Sequence, residues 1–191
     1  IYQNIKNEFS ETLPEKSYKS PFKISINLAF DRIEQRVKYS NNVLQEQLFL
    51  FINNLLINKD LIGNITLLKH KKIDELSDNY MHKLLDMHSD KFKVIDVSYF
   101  TTEEIYDTYS KFDFALGMRG HGIMIPLGAG VIPYSLISHP KLMYLINDLG
   151  IKNIKDVSTD ISENIDYKEL TKSFESIAHS IIVSLGILGL F

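Results

Sequence analysis

The apolar positions change period along the chain. Lys23–Phe30 reads KISINLAF, with Ile24, Ile26 and Leu28 alternating at the period of a strand. Leu44, Leu48, Phe51 and Leu55 then recur at helical spacing and predict a helix over 42–57, with Asn42 and Gln45 as its capping pair. Gly63-Asn64 reads as a turn before a second strand, Ile65–Leu68, which ends at Lys69-His70. A helix follows within 72–88, with Ser77 or Asp78 at its N-cap. Phe92–Tyr99 predicts a third strand, and Thr101 with Glu104 forms a capping box that opens a helix to about Lys111. Phe114–Met118 is short and apolar, as a strand buried on both faces requires. Gly120–Leu127 predicts a short helix stopped by Gly128-Ala129-Gly130. Val131–Ile137 predicts a fifth strand, and Pro140 opens a helix that Gly150 closes. Ile154–Val157 is a candidate sixth strand. Asp166 and Glu169 open a last helix, whose apolar stripe is Leu170, Phe174, Ile177 and Ile181.

Strands alternating with helices predict an α/β domain: a parallel sheet with helices on both faces. The expected organisation is a linker or leading segment over 1–22, the sheet domain over 23–160, and a C-terminal helix over 161–191. That helix packs either on this domain or on one outside the chain. The first residue is not Met and the last residues are apolar, so the chain is expected to be a piece of a longer protein. A net charge of −3 over 191 residues gives no general affinity for nucleic acid or anionic membranes, so an anion would need a local site. No cysteine is present, which removes disulfides and thiolate metal sites. The polar N-terminus carries no signal-like apolar core. The apolar run SIIVSLGILGLF at 180–191 is shorter than the about 20 residues that span a bilayer, and reads as a buried helix end or a peripheral membrane contact.

Ligands of an open parallel sheet bind beyond the carboxyl ends of its strands. Those predicted ends carry Asp31-Arg32, Lys69-His70, Tyr99-Phe100-Thr101, Arg119-Gly120-His121 and Ser138-His139-Pro140-Lys141. Four of the five deliver basic or titratable groups to one rim, which suits an anion. The densest stretch is Phe112–Leu142. Arg119 can hold a carboxylate or phosphate through two parallel hydrogen bonds, or can form a salt bridge. His121 can move a proton near neutral pH, or can serve as a capping or core histidine. Gly120 and Gly122 would let a ligand approach the backbone of a helix N-terminus. Ser138, His139, Lys141, Arg32 and His70 are further candidate contacts, each with an ordinary structural reading beside it. No dinucleotide G-x-G-x-x-G follows the first strand, and there is no P-loop, H-E-x-x-H or G-x-S-x-G. No metal site is expected, and nothing resembles a nucleic-acid face.

Gly117-Met118-Arg119-Gly120-His121-Gly122, Ile125-Pro126-Leu127-Gly128, Ile132-Pro133, Lys141 and Asn147-Asp148-Leu149-Gly150 together resemble the polysaccharide pyruvyl transferase family over roughly 113–151. Gly120 stands where the family usually has a bulky apolar residue, and His139-Pro140 replaces an aromatic-rich turn. The resemblance implies a glycosyltransferase-B-like architecture, of which this chain would be one Rossmann-like half, the carboxyl-terminal one, with a missing N-terminal domain. It implies transfer of pyruvate from phosphoenolpyruvate onto a sugar of a bacterial surface polysaccharide or its lipid-linked precursor, forming a ketal. Arg119 and His121 would be catalytic, and Lys141 a donor contact. No cofactor is implied beyond the donor substrate. Phosphoenolpyruvate is a cytosolic metabolite, so the resemblance implies a cytoplasmic location, free or associated with the inner face of the membrane. The isolated domain is expected to be inactive if the acceptor site lies on the other half. Two other readings stay open: a nucleotide-sugar glycosyltransferase of the same architecture, and a non-catalytic Rossmann-like binding module. The lack of Asp or Glu across 114–142 favours an acidic donor over a ribose-bearing one.

Overall fold

In the computed structural model, which describes residues 19–72, 74–148 and 157–187 (side chains to 183), the alternating isoleucine strand lies inside a six-stranded sheet. Its strands are β1 (Phe22–Asn27), β2 (Ile62–Lys69), β3 (Phe92–Asp96), β4 (Phe114–Gly117), β5 (Ile132–Ile137) and β6 (Ser158–Asp160). All pairings are parallel, in the order β3-β2-β1-β4-β5-β6. This is the strand order of the doubly wound Rossmann sheet, and the fold is Rossmann-like α/β. The helices are α1 (Asn41–Ile57), α2 (Asp78–Met87), α3 (Thr102–Ser110), α4 (His121–Gly128), α5 (Pro140–Asp148) and α6 (Tyr167–Ile187).

The period of two sorts each strand's side chains between two cores. Phe22, Ile24, Ile26 and Leu28 of the first strand and its exit, with Phe114 and Leu116 of β4, face a large core shared with α1, α2 and α6. Each such side chain, fully buried, contributes about 1.5–3 kcal/mol. Ala115 and Leu68 face the other way, into a smaller core with Tyr109, Phe112, Ala129 and Val131 beside α3 and α4. Helices therefore cover both faces. The predicted stripe of α6, Leu170, Phe174, Ile177 and Ile181, is buried in the larger core, and α6 packs on α1. Among the described residues no helix is long and apolar enough to cross a membrane.

Several boundaries differ from the sequence reading. Gly63-Asn64 is not a turn but lies inside β2. The register jumps from Phe22↔Ile62 to Lys23↔Asn64, so Gly63 is the extra residue of a bulge, and a Cβ there would sit 3.2 Å from the Pro21 carbonyl oxygen. Ser40, not Asn42, caps α1: its hydroxyl accepts from the Val43 N–H. The third strand stops at Asp96, whose carboxylate accepts from the Ser98 N–H and hydroxyl and turns the chain, leaving Tyr99 90% exposed. The Thr101–Glu104 capping box is formed as expected. The sixth strand is Ser158–Asp160, C-terminal to the expected one; Ile154–Asp156 and the Gly150 helix stop lie outside the described residues. Residues 1–18 of the expected linker lie outside them too.

Candidate functional site

β1 and β4 are hydrogen-bonded neighbours, yet the chain leaves them toward opposite faces: to α1 from β1 and to α4 from β4. Their carboxyl ends therefore open a crevice at the topological switch point. The sheet order places the exits of β1, β2, β4 and β5 side by side along its rim.

Arg119 stands at the exit of β4, with its side chain only 13% exposed. Its Nε donates to both carboxylate oxygens of Asp74 at 3.2 Å, and its Nη2 donates to Asp74 Oδ1 at 2.5 Å. The same Nη2 pairs with Asp31 Oδ1 at 2.7 Å, and Arg36 reaches Asp31 Oδ2 at 3.4 Å. Asp74 is fully buried. Burial opposes the charge of Arg119, but Asp74 and Asp31 outweigh it and raise its pKa further. Burial likewise pushes Asp31 up, while Arg119 and Arg36 outweigh that and hold it below its ordinary value. Of the two sequence readings of Arg119, the ion pair is what forms, and it is partly buried rather than superficial. The guanidinium edge expected to grip an anion is occupied by Asp74. Arg119 thus ties the exits of β1, β2 and β4 together.

The glycines divide in role. Gly122 is buried, and a Cβ there would lie 3.0 Å from Asn27 Oδ1 and 3.3 Å from the Gly117 Cα. A Cβ on Gly117 would lie 2.6 Å from the Gly122 carbonyl oxygen. These two residues let α4 seat directly on β1 and β4, so Gly122 serves packing rather than ligand approach. Gly120 is different: its Cβ would meet only Leu145 Cδ2, at 3.4 Å, and it caps α4 without a side-chain acceptor.

His121, the first residue of α4, is exposed, and its charge acts on His70. His70 leaves β2 with its ring stacked on Tyr109, centroids 5.9 Å apart, and its Nε2 lies 2.8 Å from the Tyr109 hydroxyl. Burial, partly offset by Asp74, lowers its pKa from the ordinary histidine value. Burial also lowers His139, and the charges of Arg36 and Lys141 add to that. Lys141 is exposed in the first turn of α5. Ser138 is fully buried, inside the rim rather than on it. Arg32, a candidate contact, adopts left-handed backbone (φ 54°) and is exposed, with no ion pair among the described residues; the arginine that pairs with Asp31 beside Arg119 is Arg36.

The structure therefore brings His70, Arg119, His121, His139 and Lys141 to one rim. It adds Asp31, Arg36, Asp74 and Tyr109, none of which stood out as a site residue. Asp31 was visible at a strand end. Asp74 lies in a stretch with no period, and Tyr109 reads as ordinary apolar helix. The acid-free stretch 114–142 does not make an acid-free site, since two carboxylates arrive from other loops. Four cations, Arg36, Lys71, Arg119 and Lys141, act on Asp31 or His139 against the carboxylates Asp31 and Asp74, leaving the rim positive. No family model, curated protein or solved structure matches the chain.

Proposed function

We propose that this chain is the donor-binding half of a transferase that moves pyruvate from phosphoenolpyruvate onto two hydroxyls of a sugar in a surface polysaccharide or its precursor. The observation that carries the reading is the cationic rim at the β1–β4 switch point, with histidines at the exits of β2, β4 and β5. It is joined by the resemblance over 113–151.

Phosphoenolpyruvate brings a phosphate and a carboxylate. Lys141 and Lys71, both exposed and outside any ion pair among the described residues, are the cations free enough to meet them, with the N-terminus of α4 adding positive potential. Arg119 contributes by placement: it holds the loops after β1 and β2 against the start of α4. In the first step His121 gives a proton to the methylene carbon, and one sugar hydroxyl adds to C2 and returns its proton to the His121 imidazole. In the second, another hydroxyl forms its bond to C2 as the bond from C2 to the phosphate oxygen breaks, its proton passes to the departing phosphate, and inorganic phosphate leaves with the ketal closed. Neither Asp31 nor Asp74 is presented as a free acid to a ribose, because both are held by Arg119. This retains the preference for an acidic donor.

Phosphate release from phosphoenolpyruvate by the full-length protein tests the reading. His121→Ala is expected to lower turnover by about a hundredfold or more, and Lys141→Ala to raise KM. Unchanged turnover in His121→Ala overturns the assignment. Protection by a nucleoside diphosphate but not by phosphoenolpyruvate moves it to nucleotide-sugar transfer.

A further inference from the structure

His70 is half-buried, and one edge of its ring is spoken for. Nε2 lies 2.8 Å from the hydroxyl of Tyr109, a residue 1% exposed at the end of α3, and the two rings stack at 24°. A bond between a neutral imidazole and a phenol can run either way. If Nε2 carried the proton, Tyr109 would accept it and its own buried O–H would need another acceptor. Among the described residues none is within hydrogen-bonding reach. A buried donor left unmade is costly, whereas a spare lone pair on a hydroxyl is not. Tyr109 therefore donates, Nε2 accepts, and the ring proton is left on Nδ1.

We infer that Tyr109 fixes His70 as a neutral imidazole protonated on Nδ1, so that His70 offers the crevice an uncharged hydrogen-bond donor. The groups facing His70 agree with this. Arg119 and His121 disfavour a second positive charge there, and the opposing Asp74 is itself committed to Arg119. Tyr109 keeps its own proton, since burial and the charge of Asp74 both raise its pKa. Two histidines of the rim then differ in kind. His70 is an uncharged donor suited to a carboxylate or carbonyl oxygen. His121 is left as the proton carrier. This division rests on the donor-site reading above, but the state of His70 does not, and the two can fail separately.

Nitrogen NMR of the full-length protein labelled at histidine reads the tautomer directly, with the His70 signal assigned by its loss in His70→Gln. The expected wild-type spectrum shows Nδ1 protonated and Nε2 bare near neutral pH. In Tyr109→Phe the Nε2-protonated form is expected to appear. A wild-type His70 protonated on Nε2, or on both nitrogens, overturns the inference whether or not the protein turns over phosphoenolpyruvate. Binding of phosphoenolpyruvate gives the second measurement. His70→Asn keeps a neutral N–H near the Nδ1 position and is expected to retain affinity, while His70→Leu loses about tenfold, the worth of one good hydrogen bond. Equal losses in the two variants overturn the donor role. Absence of any phosphoenolpyruvate binding by the wild type overturns the substrate reading and, with it, the crevice-facing part of this inference, while the tautomer is still decided by the spectrum.

Discussion

At the scale of single residues, the decisive fact is that Arg119 is not free. A fully buried Asp74 without its guanidinium, or the reverse, leaves an uncompensated charge in low dielectric, which costs about 3–5 kcal/mol. Arg119→Ala and Asp74→Ala are each expected to lower stability by that order in urea unfolding. The double variant should cost less than the sum, because one charge no longer waits for the other. Loss of activity in Arg119→Ala then reports unfolding of the rim as much as chemistry, so His121→Ala is the cleaner probe. Asp31 supplies a pH dependence. Its folded pKa lies below the ordinary 3.8, so the unfolded chain binds the proton more readily at acid pH. Its contribution is complete above about pH 5 and fades as pH drops through 3.8 toward the lower folded value. The Tm gap between wild type and Asp31→Asn should therefore be constant near neutrality and narrow in acid. A gap that widens as pH falls would contradict the pairing with Arg119 and Arg36.

Among elements, α4 is the one whose seating the site depends on. Gly117 and Gly122 meet backbone to backbone, so a methyl at 117 would meet the Gly122 carbonyl oxygen at 2.6 Å and carbon at 2.8 Å, with Ile123 Cδ1 at 3.1 Å beside them. Gly117→Ala is expected to lose about 1–3 kcal/mol, read as a lower urea midpoint, and to shift the amide signals of α4. Gly120→Ala has right-handed backbone and an ordinary contact with Leu145, so its change should stay within about 0.5 kcal/mol. If the two variants behaved alike, the close seating of α4 would be wrong. The sequence made the strand–helix alternation legible because period is a local property: Ile24, Ile26 and Leu28 announce a strand by themselves. Gly63 misled because a bulge glycine and a turn glycine look the same until the partner strand is known. Asn42 misled because Ser40, two residues earlier, supplies an equally good cap. The rim histidines and Lys141 could be listed because strand exits can be located from the pattern. Asp74 and Tyr109 could not, because their meaning lies in Arg119 and His70, 45 and 39 residues away in sequence.

For the whole molecule, the order β3-β2-β1-β4-β5-β6 turns scattered exits into one surface, and this gives a prediction that no single residue carries. The chain as a whole is acidic, with a net charge of −3, while the crevice rim is cationic. An anion is therefore drawn to one place on a molecule that otherwise repels it. The rim charges at Arg36, Lys71 and Lys141 are open to solvent to different degrees, so their attraction is screened by salt, whereas the Arg119–Asp74 pair is not. Raising ionic strength from about 0.01 M to 0.15 M shortens the screening length from about 30 Å to about 8 Å. Affinity for phosphoenolpyruvate, measured by calorimetry on the full-length protein, is expected to fall across that range. Stability measured in the same buffers should change little. Lys141→Gln should weaken binding at low salt and flatten the dependence, because one screened charge has been removed. Lys172→Gln serves as the control: it removes the same charge from α6, outside the rim. If both lysine variants flattened the curve equally, the attraction would belong to overall charge rather than to the strand exits, and the cationic rim would lose its place in the mechanism.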